Sequence, residues 1–525
     1  MKRTVILLLS LLMMAFAAAE SPSAFVEGEP HASTLSFRLY FKTMHAELPV
    51  GSLSISQRIY SHEEADALLA TVRSDLEALA QYTGVPTDDM HPCTVYVVDK
   101  LVNGSIERQG SRVYCRAEDV LSGAYRPLLV CAALGTEEYW IGVGLTGCVW
   151  GSAIDESSLA AYYAEGSLDV LTLAVPYFLD DFATQEEITL ARTTAVAMCR
   201  YAMERHGCAA LLSDDGVTLR REWLRSLGIM RDFDDPCFST LRQYRFRASA
   251  DYSLIAEDPF GNTIYLAPMQ DVSSASDLRR FLHDMLTGPQ SFFTILENEA
   301  PPYADRLQSR YGKLRILCGQ NGAWAVPEYR EIHLALGSGF MHELGHILLP
   351  PAGGANFYTT MWQYEGLCYF LAYQACPSHA LRQQYCDALQ LFSAMEEPQT
   401  ANHRFSCFAT ALYLQSAPLP TTTEAVDAAR FAHAMALTPL RHPDLAEGSD
   451  WAATIRDSYR GLQNTAGNEL TEFQAFSFSA YLIERSGLSA YLDFCTDAGA
   501  FEECFGAPYE TVREAWLAAL NDMFS

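Results

Sequence analysis

Residues 341–350 read MHELGHILLP, and the fold of the whole carboxyl-terminal half follows from how this stretch is read. His342 and His346 stand four positions apart, with Glu343 beside the first of them, in an otherwise apolar run. On a helix, positions i and i+4 share one face, so both imidazoles can point at a single place. Glu343 lies one step round the helix, where it meets a water at that place without acting as a ligand. Zinc hydrolases need this combination: imidazole donors for the metal and a carboxylate to take a proton from water.

The flanks fit a strand–turn–helix unit. Tyr329 to Leu336 is rich in β-compatible residues and reads as a strand, the edge on which an extended peptide would add. Gly337-Ser338-Gly339 breaks it, and the helix that follows must stop before Pro350-Pro351. Downstream, TMWQYEGLCYFLAY (360–373) also reads as a helix. In it Glu365 follows His346 after eighteen intervening residues. A carboxylate there would complete two nitrogens and one oxygen, leaving the fourth tetrahedral position open.

HExxH, eighteen residues, then Glu-Gly in an aromatic-rich helix resembles the gluzincin zinc metallopeptidases, particularly the M1 aminopeptidase-like, peptidase MA-like branch. The resemblance implies Zn2+ as cofactor, His342, His346 and Glu365 as its ligands, and Glu343 as general base. It implies a hydrolase acting on a peptide or protein. The chain departs from the family at GAWAVPE (322–328), where Ala325 stands in place of the glutamate that holds a substrate's amino terminus. Glu328 has no spacing to support it as a replacement, so amino- and endopeptidase both stay open. The family's oxyanion-stabilising residue is not assigned among Tyr369, Tyr413, Tyr459 and Tyr481. His333, His403 and His433 read as ordinary structural histidines.

Two other functions stay in view. One is a binding or adhesion protein that keeps zinc without catalysis; retention of Glu343 argues against it, since a structural site needs no base. The other is a zinc hydrolase of a non-peptide amide or ester. No GxSxG elbow, P-loop or GxGxxG after a strand supports serine-hydrolase or nucleotide chemistry.

The amino-terminal half holds a second pattern. SGAYRPLLVCAAL (122–134) can be laid on SGFMHELGHILLP (338–350), which sets Arg126, Pro127 and Val130 where His342, Glu343 and His346 stand. YWIGVGLTGCVWG (139–151) then matches MWQYEGLCYFLAY (361–373), with Val143 in the place of Glu365, after a shorter spacing. YAMERHG (201–207) parallels YLIERSG (481–487). Three matches in one order point to a duplicated module whose first copy has no metal ligands.

The fold class expected is α+β: a zincin-type catalytic domain with a helical carboxyl-terminal part, preceded by a degenerate, metal-free zincin-like repeat. The expected organisation is a signal peptide at 1–19, a linker at 20–39, a non-catalytic domain at 40–245, a strand-rich connector at 246–269 and the zinc peptidase domain at 270–525. In the connector, two strands flank the turn Pro259-Phe260-Gly261-Asn262. Lys2, Arg3, an apolar run and Ala17-Ala18-Ala19 are the signal-peptide features, so export to a periplasmic or extracellular space is expected, without stable membrane insertion. A net charge of −28 disfavours nucleic acid and anionic membranes as partners. Fourteen cysteines in an oxidising space lead to an expectation of several disulfides. Cys131, Cys199 and Cys368, in apolar helical patterns, read as buried free thiols.

Overall fold

Ser61 starts helix α1 (His62–Thr83) with a capping box: its hydroxyl accepts from the Glu64 amide, while the Glu64 carboxylate accepts from the Ser61 amide. Leu68, Leu69, Val72, Leu76 and Leu79 recur at three- and four-residue spacing along α1, and all are buried. Gly84 then ends the helix in the left-handed conformation, at φ 70°.

The structure is a computed structural model that describes residues 26–27, 31–32, 40–41, 43–56, 61–101, 104–151, 156–165, 179–213, 217–230, 243–247, 249, 251–349, 361–376, 401–417, 425–442, 469–496 and 501–525. It is an α+β protein with two mixed six-stranded sheets. The chain divides into two units, Met1–Pro236 with Phe246–Leu254, and Cys237–Arg245 with Ile255–Ser525. The signal peptide read at 1–19 lies outside the described residues. Among the described residues no single helix is long and apolar enough to cross a membrane.

In the first unit the strands are β1 (Val26–Glu27), β4 (Thr43–Glu47), β5 (Gly51–Ser56), β6 (Cys93–Val97), β7 (Glu107–Gln109) and β8 (Arg112–Cys115), in the order β1-β4-β5-β6-β8-β7. A separate short pair joins β2 (His31–Ala32) to β3 (Tyr40–Phe41). The β5, β6 and β8 strands run parallel, and β7 adds antiparallel at the edge. Leu53, Val95 and Val113 lie in register across the parallel strands and are fully buried. Each contributes about 1.5–3 kcal/mol by leaving water. Helices α2 (Arg126–Leu134), α3 (Tyr139–Trp150), α4 (Gln185–Arg205) and α5 (Cys208–Ser213) follow.

In the second unit β10 (Leu254–Glu257) and β11 (Thr263–Leu266) flank the expected turn, where Gly261 takes φ 78°. The segment read as a connector is thus a working part of the second sheet, because β11 pairs in parallel with β12 (Arg315–Cys318). That sheet also contains β9 (Arg245–Arg247), β13 (Trp324–Val326) and β14 (Glu331–Leu334), in the order β13-β14-β12-β11-β10-β9. Here β11, β12 and β14 are parallel and β13 is the antiparallel edge. Ile264, Ile316 and Ile332 form the buried row in register.

The strand expected at 329–336 is shorter, Glu331–Leu334, and it is internal. Trp324–Val326 pairs with its outer side, so the sheet edge is β13 and not the strand that leads into the HExxH helix. Among the helices of this unit are α6 (Ala275–Glu299), α7 (Phe340–Leu348), α8 (Met361–Ala375), α9 (Ala428–Arg441), α10 (Glu469–Ser486), α11 (Leu488–Thr496) and α12 (Tyr509–Met523).

The expectation of several disulfides is not met among the described cysteines. Cys93, Cys115, Cys131, Cys199, Cys208, Cys318, Cys368 and Cys495 are buried free thiols. They sit in strands and helices as small apolar side chains, which accounts for them without a cross-link.

Candidate metal centre

Helix α7 is held at both ends by charges that suit its dipole. At its start, the Asp271 carboxylate accepts the amides of Gly337 and Ser338 at 2.8 and 2.9 Å. At its end, Arg310 donates to the Leu348 carbonyl at 3.2 Å. The helix stops at Leu348, ahead of Pro350-Pro351 as expected. His342, Glu343 and Leu344 are buried along it, so two polar side chains are spent on an interior face.

Those side chains meet Glu365 from α8. His342 Nε2 lies 3.1 Å from Glu365 Oε2, and His346 Nε2 lies 3.5 Å from Glu365 Oε1. The two Nε2 atoms are 3.2 Å apart. Four ligand atoms placed tetrahedrally at zinc–nitrogen distances of 2.0–2.1 Å would stand about 3.3 Å from one another. The separation of the two Nε2 atoms is close to one such edge, and each nitrogen faces a different oxygen of Glu365, so the carboxylate brackets the place where both imidazoles converge. Among the described residues, this is the one group of three or more His, Cys, Asp or Glu side chains that converges closely enough to hold a metal ion. The donor set, two imidazoles and a carboxylate, suits zinc.

The electrostatics follow from burial. Burial opposes ionisation of Glu365, but His346 and His342 outweigh it and hold the carboxyl well below the usual range. Glu343 makes no such pairing. Its burial raises the carboxyl above its ordinary value, against the weaker opposing pull of the two histidines. The two carboxyl groups are thus pushed in opposite directions, Glu365 toward its charged form and Glu343 toward its neutral one.

Two residues of α8 lie against the histidines: Cys368, which sequence reasoning read only as a buried thiol, and Tyr369, one of the tyrosines left unassigned for the oxyanion role. Cys368 Sγ lies 3.7 Å from His346 Nδ1, and the Tyr369 ring packs 4.2 Å from the His342 ring. For Cys368 the available signal was its position one turn after Glu365, since i+3 and i+4 return to the same face. The other singled-out residues lie elsewhere. His333 stacks on Trp324 at 4.2 Å and meets Glu331 at 2.7 Å. His433 is buried against Ser477 Oγ at 2.6 Å, and burial lowers its pKa to about 4. The Tyr413 hydroxyl accepts the Asp427 amide in the core. Ala325 sits in β13 opposite Ile332, and Glu328 is exposed on the turn after it. Tyr459 and the side chain of His403 lie outside the described residues.

In the first unit, the positions matched to the ligands hold a different chemistry. Arg126 Nε pairs with the buried Asp75 at 2.9 Å, and the Tyr125 hydroxyl donates to the same carboxylate at 2.8 Å. The Arg126 guanidinium lies over the Trp150 ring at 4.8 Å. Val130 and Val143 are buried.

Comparison of the chain with protein-family models, with curated proteins and with solved structures finds no match.

Proposed function

We propose that the chain is a zinc-dependent peptidase of gluzincin type, with His342, His346 and Glu365 holding the metal and Glu343 serving as general base. The observation that carries this reading is the set of three donor-atom separations, 3.1, 3.2 and 3.5 Å, beside a buried carboxylate that is not needed as a ligand. Zinc in this place would polarise a scissile carbonyl and make a water easier to deprotonate. Glu343 takes the proton of the attacking water, helped by the raised proton affinity of its buried carboxyl, and the same carboxyl then passes that proton to the more basic leaving amine. Among the described strands β13 lies at the edge of its sheet, where an extended peptide can add as a strand. Ala325 on that strand supplies no anchor for a substrate amine, so cut positions rather than the site decide between amino- and endopeptidase.

The same reading makes the first unit a metal-free zincin-like repeat. Its strand succession β5, β6, β7, β8 and its sheet order match β11, β12, β13, β14 of the second unit. Further support comes from a shared helix crossing. A Cβ on Gly144 would fall 2.5 Å from the Ala195 carbonyl oxygen, and one on Gly366 would fall 2.4 Å from that of Ala475. Both pairs keep the offsets of the sequence matches.

The test is metal analysis with peptide-library cleavage, on the wild type and on Glu343→Gln. The expected result is about one zinc per chain in both, with cleavage falling by at least ~100-fold in the variant. Zinc without cleavage in either would replace the peptidase by a binding protein or a hydrolase of another amide or ester. No zinc in either would remove the metal reading altogether.

A further inference from the structure

Helix α8 brings more than a ligand to the two imidazoles. Cys368 is fully buried, one turn beyond Glu365, and its Sγ is 3.7 Å from His346 Nδ1. So close an approach depends on glycine at 345 in the facing helix, where a Cβ would stand 2.7 Å from that sulfur. An imidazole that gives Nε2 to a metal keeps its proton on Nδ1, and an acceptor at Nδ1 sets both the tautomer and the ring plane. A carboxylate or backbone carbonyl usually fills this role.

We propose that Cys368 is the positioning residue for His346: its sulfur accepts the Nδ1–H and holds Nε2 toward the metal. This rests on the metal reading of His342, His346 and Glu365. The two histidines are then steadied by different means. Among the described residues His342 Nδ1 is buried without a hydrogen-bond partner, and its ring is packed by Tyr369. In the first unit the position matched to Cys368 is Thr146, and Val130 stands where His346 does, so no imidazole is there to be oriented.

The experiment measures zinc affinity of the full chain by competition with a chromophoric chelator, for wild type, Cys368→Ser and Cys368→Ala. Thermal unfolding of each zinc-free protein reports packing separately. The expected result is a loss of about 10–100-fold in zinc affinity for Cys368→Ala, with most of it regained in Cys368→Ser, which keeps an acceptor. Equal zinc affinity in all three proteins would overturn the role of Cys368 and leave the metal site standing. Equal weakening in both variants, tracking the zinc-free melting temperatures, would reduce Cys368 to a packing residue and overturn the proposal as well. A wild type that binds no zinc would overturn it together with the metal reading.

Discussion

Where α7 of the second unit carries His342, Glu343 and His346, α2 of the first carries Arg126, Pro127 and Val130. Around this difference the scaffolding is alike. Both units have three parallel strands with an antiparallel edge strand inserted before the last of them. Both cross two later helices at a glycine. The middle of the first long helix also meets the residue before the first matched position in both units. Asp75 binds the hydroxyl of Tyr125, and a Cβ on Gly288 would stand 2.8 Å from Met341 Sδ. Packing positions persist because helices and sheets must bury their faces whatever the site does. The positions matched to His342 and His346 in the first unit hold an ion-paired arginine and a buried valine, which serve the fold without a metal.

If the proposed zinc is bound, removing it is the strongest way to separate the two units. With zinc at about a thousand times its dissociation constant, binding adds about 4 kcal/mol to stability. Chelation, or His346→Ala, is expected to lower hydrogen-exchange protection in α7 and α8 and to leave α2 and α3 unchanged. Equal loss in both pairs of helices would break the contrast. Asp75→Ala attacks the other side. It strips the acceptor from the buried Tyr125 hydroxyl and the partner from Arg126, whose side chain is 23% exposed, at a cost of about 2–3 kcal/mol. Denaturant unfolding should register that loss while zinc content stays the same. The smallest effect sharpens the likeness. Gly144→Ala and Gly366→Ala should each cost about 1–3 kcal/mol, because each added Cβ meets backbone of the facing helix. A large cost in one and none in the other would mean that the two crossings are not equivalent.

Much of the candidate metal centre was legible in the sequence. The i, i+4 histidines needed only a helix, and Pro350-Pro351 marked where that helix had to end. Glu365 was reached through the family-like spacing, since nothing local requires a helix that begins at Met361 to return to His346. The β13 edge was missed because three residues ending just before Pro327 carry too little strand pattern; only their pairing with Glu331–His333 makes them one. Disulfides were inferred from an even count in an oxidising space. A bridge also needs Cα atoms within about 7 Å, and a sequence carries no such distance.

By itself, then, the sequence determined the elements whose signals act within a turn or two: the capped start of α1 at Ser61, its glycine stop at Gly84, the HExxH helix and the repeated motifs. The tertiary structure alone decided that Glu365 closes on both imidazoles, that Cys368 meets His346 through the gap at Gly345, and that Arg126 is matched by Asp75. Capping and helical periodicity are enforced by neighbours along the chain, whereas these contacts depend on how separate helices cross, which the whole core sets at once.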